Sequence, residues 1–192
     1  MFHTIIGYGS LVDIAWARSS MASLRNFRYG RIHGWMRVFD LVSIVNIKKY
    51  GHSATNEIAS CTARPRIGGT LLVCIFEIPE DDYECFLRRE TRLCQKTVEF
   101  EDNSGTVGEG VLCIGWSDEE YRERRKISDF EYYNQVGMFY DGLLYRTDIL
   151  PSALYLQRCL EAYDGVGSDF RDNFLDCSFL GSGVSVRSYL KL

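Results

Sequence analysis

The chain has 192 residues, of which 46% are hydrophobic and 25% charged, with a formal net charge of -4. This is the balance of a soluble globular domain with room for a substantial core, and its acidity argues against non-specific nucleic-acid binding, which needs a basic surface. No apolar run approaches membrane-span length and the N-terminus lacks the basic-then-apolar layout of a leader, so one cytoplasmic domain over residues 1–192 is expected, with neither nucleic acid nor membrane as partner.

Thr4-Ile5-Ile6 ends a short apolar run that reads as a buried strand. Gly7-Tyr8-Gly9-Ser10-Leu11 breaks it, and Asp13 to Leu24 follows with a helix-compatible pattern. Two glycines let such a turn take positive φ and approach a ligand closely, and successive N–H groups can converge on a carboxylate or an oxyanion. The plain alternative is a strand-to-helix turn with a glycine on either side of a core tyrosine. The turn matches neither a phosphate loop nor a dinucleotide fingerprint, because no Gly-Lys-Ser/Thr and no third glycine follow at the required spacing.

Asn26 to Ile47 changes character, and Arg31 to Phe39 alternates with β-favouring residues, which predicts one or two strands. Lys48 to Asn56 reads as a loop and Glu57 to Ala63 as a strand closed by Arg64-Pro65. Gly68 to Pro79 is the clearest strand, apolar enough to be buried on both faces. Pro79 ends it, and Glu80-Asp81-Asp82 opens a helix with acidic residues where the dipole favours them.

Tyr83, Phe86 and Leu87 mark the apolar stripe of that helix, which Leu93 or Cys94 continues. The stripe position between them holds Glu90. A buried carboxylate there would be shifted by desolvation toward a proton shuttle near neutral pH. The bland alternative is a glutamate at the helix end that reaches solvent or pairs with an arginine.

Thr97 to Glu101 and Gly110 to Trp116 read as strands, and Ser117 to Lys126 as a solvated helix with an N-cap serine. Asp129 to Tyr145 is tyrosine-rich and ambiguous between helix and loop. Pro151 opens a helix carrying Leu156, Cys159, Leu160 and Tyr163 on one side, which Gly165 and Gly167 break. Phe170 to Phe179 and Val184 to Leu190 read as two short helices. Strands and helices without regular alternation predict an α+β fold.

The seven cysteines, Cys61, Cys74, Cys85, Cys94, Cys113, Cys159 and Cys177, form no Cys-x-x-Cys, and there is no His-x-x-x-His, so tetrahedral zinc is not expected. Cys74 and Cys113 sit in strand-like runs and read as small core residues. His3, His33 and His52 are scattered and accompany no Gly-x-Ser-x-Gly, which gives a catalytic triad little support.

Three stretches together resemble the γ-glutamylcyclotransferase-like family. They are Gly7-Tyr8-Gly9-Ser10-Leu11 after the first strand, Gly34-Trp35-Met36-Arg37-Val38-Phe39, and Gly68-Gly69-Thr70-Leu71 leading by strand and helix to Arg89-Glu90. The closing segment from Pro151 to Leu190 is similar to the last helices of prokaryotic-type members. Leu93 stands where members often carry a tyrosine.

The resemblance implies a small closed or nearly closed mixed β-barrel flanked by helices, working as a monomer or homodimer without cofactor or metal. Its implied reaction cyclises a γ-glutamyl amide: the substrate's own α-amine attacks the γ-carbonyl and releases 5-oxoproline. Glu90 would be general base and acid, with Gly7, Tyr8, Gly9, Ser10 and Leu11 as the substrate-binding turn. The alternatives are a catalytically inactive module that binds small carboxylates on the same scaffold, and an interaction domain presenting Tyr132, Tyr133, Tyr140 and Tyr145 to a partner.

Overall fold

The computed structural model describes residues 1–51, 56–126 and 128–192. Its strands are β1 (Phe2–Gly7), β2 (Arg25–Val42), β3 (Glu57–Pro79), β4 (Cys94–Asp102), β5 (Val107–Ile114), β6 (Leu150–Pro151) and β7 (Ser178–Leu180). Its helices are α1 (Ile14–Ser20), α2 (Ile44–Tyr50), α3 (Glu80–Arg89), α4 (Asp118–Arg125), α5 (Asp129–Tyr132), α6 (Ala153–Val166), α7 (Ser168–Cys177) and α8 (Val186–Leu190).

Five strands close into a mixed barrel in the order β3-β1-β5-β4-β2, with β2 pairing back onto β3. The β1–β5 seam is parallel, and the other four seams are antiparallel. β3 is the axis of the arrangement. Leu71, Val73, Cys74, Ile75, Phe76 and Ile78 are all completely buried, as its uninterrupted apolar run requires. The short β6 and β7 extend the outer ends of β3 and β2 in parallel.

β2 and β3 are longer than their sequences imply. The stop expected at Arg64-Pro65 is a bulge, not an end: Trp35 still pairs with Pro65, and pairing resumes at His33 with Thr70. Gly34 and Gly68, with φ of 83° and 73°, absorb this shift in register. A single bent ribbon therefore serves both the barrel and the ledge above it. At the ledge, β2 runs past Phe39, where the alternating pattern ends, and stops at Val42, because the Ser43 hydroxyl caps α2 by accepting from the Asn46 N–H at 3.4 Å. Ile44 and Ile47, three apart on this helix, are both buried. Part of the loop expected at Lys48 to Asn56 lies outside the described residues.

The helix expected from Asp13 to Leu24 is shorter, with a 3₁₀ turn at Ser10–Val12 and then α1, whose Asp13 cap accepts from the Trp16 N–H at 2.9 Å. Pro151 ends β6 instead of opening α6. Gly165 lies within α6, and the break comes at Gly167, whose φ of 140° joins α6 to α7. The last residues of the helix expected at Phe170 to Phe179 form β7 instead. The ambiguous tyrosine-rich segment is α5 followed by a π turn at Tyr133–Gly137. No helix among the described residues is long and apolar enough to cross a membrane.

Closure depends on one small residue. Gly30 is the partner of Val73 on β3 and of Asp102 on β4. A Cβ added there would lie 2.5 Å from the Glu101 carbonyl oxygen and 2.7 Å from Ile75 Cδ1. Gly30→Ala is expected to destabilise the fold by about 1–3 kcal/mol through overpacking. Urea denaturation would read this as a lower midpoint at unchanged slope.

Candidate active site

The glycine turn leaves β1 at the mouth of the barrel. Its glycines are not needed for positive φ, since Gly9 has φ -114° and Gly7 also lies outside that region. Space is the reason. A Cβ on Gly7 would stand 2.6 Å from Cys74 Sγ, and one on Gly9 would stand 2.6 Å from the Tyr155 hydroxyl oxygen. Tyr155 comes from α6, so the turn is squeezed between that helix and β3. The Val12 and Asp13 N–H groups close the 3₁₀ turn onto the Gly9 and Ser10 carbonyls. Among the described residues, the backbone N–H groups of Tyr8, Gly9 and Ser10 find no acceptor in the protein.

The carbonyl side of the turn is anchored by Arg37, which is fully buried. Its Nε donates to the Tyr8 carbonyl at 2.7 Å, and one terminal nitrogen donates to the Leu72 carbonyl and to the Tyr163 hydroxyl, each at 2.6 Å. The other donates to Asn173 Oδ1 at 3.2 Å. The Tyr163 hydroxyl itself donates to the Tyr8 carbonyl at 2.9 Å. Asn173 completes the cluster, accepting from the Leu72 N–H and donating to the Thr70 carbonyl, both at 2.9 Å. The Tyr8 phenol donates to the Cys113 carbonyl at 2.6 Å, which ties the turn to β5 as well.

Glu90 lies at the other side of the same opening. α3 ends at Arg89, and Glu90 is its C-cap residue with φ -90°, so it is not part of a continuing apolar stripe. Its N–H still bonds the Phe86 carbonyl, and its own carbonyl accepts from Leu93 N–H, both at 2.9 Å. The Tyr145 hydroxyl donates to the Arg92 carbonyl and pins this reverse turn from outside. The Glu90 side chain is 22% exposed, and Oε1 accepts from Arg89 Nε at 2.8 Å. Both features anticipated for a helix-end glutamate are present. Oε2 has no hydrogen-bond partner among the described residues.

Gly7, Tyr8, Gly9, Ser10, Leu11 and Glu90 all line one cavity of about 350 Å³, within the size range of small-ligand sites (about 300–1,000 Å³). The two regions, eighty residues apart in the chain, are thus brought together. Leu93, Cys61 and Cys113 add apolar wall, and Ser60, Asn46, Arg92 and Arg158 add polar groups. The hydrogen bond from the Cys159 thiol draws the Cys61 thiol pKa down against the effect of burial, helped by Tyr155 and the charge of Arg37. Burial pushes Cys74 up to about 12. It also raises Cys113 well above its ordinary value, with the Glu90 charge adding to the effect. None of the seven cysteines is in a disulfide, and no cluster of three metal-ligating side chains occurs among the described residues.

Arg37, Tyr155, Tyr163, Asn173 and Tyr145 escaped assignment to the site from sequence. The only signal was an arginine inside the alternating apolar run from Trp35 to Phe39. The tyrosines considered as a partner surface do not form one exposed cluster: Tyr140 is buried, Tyr132 and Tyr145 are half-buried, and Tyr133 is exposed. The fit between Gly9 and Tyr155 can be checked with a double-mutant cycle. Gly9→Ala is expected to cost about 1–3 kcal/mol. Tyr155→Phe in the same chain removes the clashing oxygen, so the pair should be less destabilised than the sum of the singles in urea denaturation.

No protein-family model and no curated protein sequence matches this chain. Solved structures do. A γ-glutamyl cyclotransferase is 10% identical with a TM-score of 0.61, the match covering 90% of this chain and 85% of that one. A γ-glutamyl cyclotransferase specific to glutathione from yeast is 12% identical with a TM-score of 0.53, covering 90% and 95%. YkqA from Bacillus subtilis is 13% identical with a TM-score of 0.53, covering 89% of this chain and 52% of that one. At these identities the likeness is one of architecture, and the chain has the γ-glutamylcyclotransferase-like fold.

Proposed function

We propose that the protein is a cyclotransferase that releases 5-oxoproline from a γ-glutamyl amide. The observation that carries this reading is the shared cavity: Glu90, one of whose carboxylate oxygens has no hydrogen-bond partner among the described residues, lines the same hollow as the glycine turn.

The chemistry suits that pair. Attack is intramolecular, so most of the barrier is met by folding the substrate into an attack geometry. The α-ammonium gives one proton to solvent to free its lone pair, and as the nitrogen bonds to the γ-carbon it must shed another. The departing amide nitrogen must gain a proton as its bond to that carbon breaks. Glu90 accepts the proton shed on attack and returns it to the departing nitrogen, so a single carboxylate serves both steps. The turn N–H groups hold the α-carboxylate or the tetrahedral oxyanion, and the Arg37 cation behind the turn favours negative charge at its front. No residue in this sequence of steps calls for a metal or a redox cofactor.

Glu90→Gln keeps size and shape but cannot carry the proton. Its kcat for a γ-glutamyl dipeptide should fall by about 10²–10⁴-fold, with the unfolding midpoint unchanged. 5-Oxoproline release from a panel of γ-glutamyl amino acids, γ-glutamylamines and glutathione is the readout. Near-wild-type turnover by Glu90→Gln would remove Glu90 from the reaction. Calorimetric binding of the panel without any product would instead support the inactive carboxylate-binding module.

A further inference from the structure

We infer that Cys61 and Cys159 form a redox-active thiol pair beside the cavity: a small hydroperoxide converts Cys61 to a sulfenic acid, and Cys159 closes it to a disulfide. The inference is independent of the reaction proposed for the cavity.

The pair joins two elements of the fold. Cys61 belongs to β3 and lines the cavity together with Gly9 and Tyr155. Its sulfur stands against the bare backbone of the turn, 3.7 Å from where a Cβ on Gly9 would lie. Tyr155 Oη is 3.2 Å from Cys61 Sγ. Cys159 follows Tyr155 by four residues on α6, the spacing that sets two side chains on one helix face, and its thiol hydrogen-bonds to Cys61. Cys159 is completely buried and is not part of the cavity wall. An oxidant entering the cavity therefore meets Cys61 first. Cys61 is 4% exposed, which limits that oxidant to a small one.

The two thiols differ in a way that assigns their roles. The Cys159 thiol, the Tyr155 hydroxyl and the charge of Arg37 all favour a thiolate on Cys61 against the effect of burial. Burial holds the Cys159 thiol well above its ordinary value, and its hydrogen bond to Cys61 and the Cys61 charge add to the effect. Since the thiolate is the nucleophile, Cys61 attacks while Cys159 keeps its proton. Burial also pushes up Cys74 and Cys113, the other two buried thiols of the barrel strands.

The Cys61 thiolate attacks the outer oxygen of the hydroperoxide. The S–O bond forms, the O–O bond breaks, and the departing alkoxide or hydroxide leaves as an alcohol or water after taking up a proton from solvent. Cys61 is now a neutral sulfenic acid, its sulfur oxidised by two electrons. Two of the influences that held up the Cys159 thiol, the Cys61 hydrogen bond and the Cys61 charge, are thereby removed. Cys159 sulfur then attacks Cys61 sulfur, the S–S bond forms and the S–O bond breaks. The hydroxide released takes the Cys159 proton and leaves as water. The product ties β3 to α6 next to the glycine turn.

The folded protein is treated with hydrogen peroxide and its peptides are mapped by mass spectrometry without reduction. The expected product is a Cys61–Cys159 cross-link two hydrogens lighter than the separate thiols, with a loss of two of the seven thiols to Ellman's reagent in denaturant. Dithiothreitol should restore both. Cys159→Ala removes the resolving thiol and keeps the attacking one, so dimedone should then label Cys61. In Cys61→Ala, Cys159 should be neither labelled nor cross-linked. A wild-type map in which Cys61 and Cys159 both stay reduced, or are oxidised without being joined to each other, would overturn the inference, and this outcome needs no variant to fold. Dimedone labelling of Cys159 in Cys61→Ala would overturn the assignment of roles.

Discussion

The structure depends on burying one guanidinium that has no carboxylate partner among the described residues. Arg37 is fully buried, and removing such a group from water costs several kcal/mol unless its donors are met. They are met by the Tyr8 and Leu72 carbonyls, the Tyr163 hydroxyl and the Asn173 amide. The Tyr163 and Phe174 rings stack against its plane. Those partners come from the glycine turn, β3, α6 and α7. A buried cation that needs neutral acceptors in fixed directions therefore joins four segments that hydrophobic contact alone would leave free to slide.

That constraint also gives the turn its polarity. Arg37 and Tyr163 both bind the Tyr8 carbonyl, so this peptide unit is held from behind while the N–H groups of Gly9 and Ser10 are left without protein acceptors. A fixed positive charge on one side and unpaired N–H groups on the other favour negative charge in front of the turn. Had Arg37 been paired with an aspartate, its charge would have been cancelled, and the turn would have kept its shape but lost much of its field.

The sequence carried the turn, the fully buried run of β3, the start of α3 and the α+β class, because each is written in local chemistry: glycine spacing, apolar continuity, or acidic residues at a helix start. It did not carry the continuity of β2 and β3. Pro65 and two glycines look like a chain break, and only the pairing of Trp35 with Pro65 turns them into a bulge. Gly7 and Gly9 serve space and not positive φ, and a sequence shows that a side chain is absent but not which atoms would have met it. Arg37 was visible within its motif. On an alternating strand, however, an inward arginine and an outward one have the same pattern, and burial is a property of α6 and α7 lying over it.

Glu90 shows how such a site can be assembled without a long rigid element. It belongs to the residue that ends α3, where the helical N–H to Phe86 and the reverse turn to Leu93 fix the backbone from both sides. Tyr145 adds a third hold through Arg92. Arg89 occupies Oε1, while Oε2 has no hydrogen-bond partner among the described residues. Because Arg89 is itself 36% exposed, water screens this pair and its contribution to stability is small. Its consequence is the orientation of the carboxylate more than any gain in folding energy. The same barrel could carry other chemistry if these few positions changed, since a fold sets where side chains stand but not what they are. In this chain the decisive placement is a carboxylate and an amide-lined bend on one hollow.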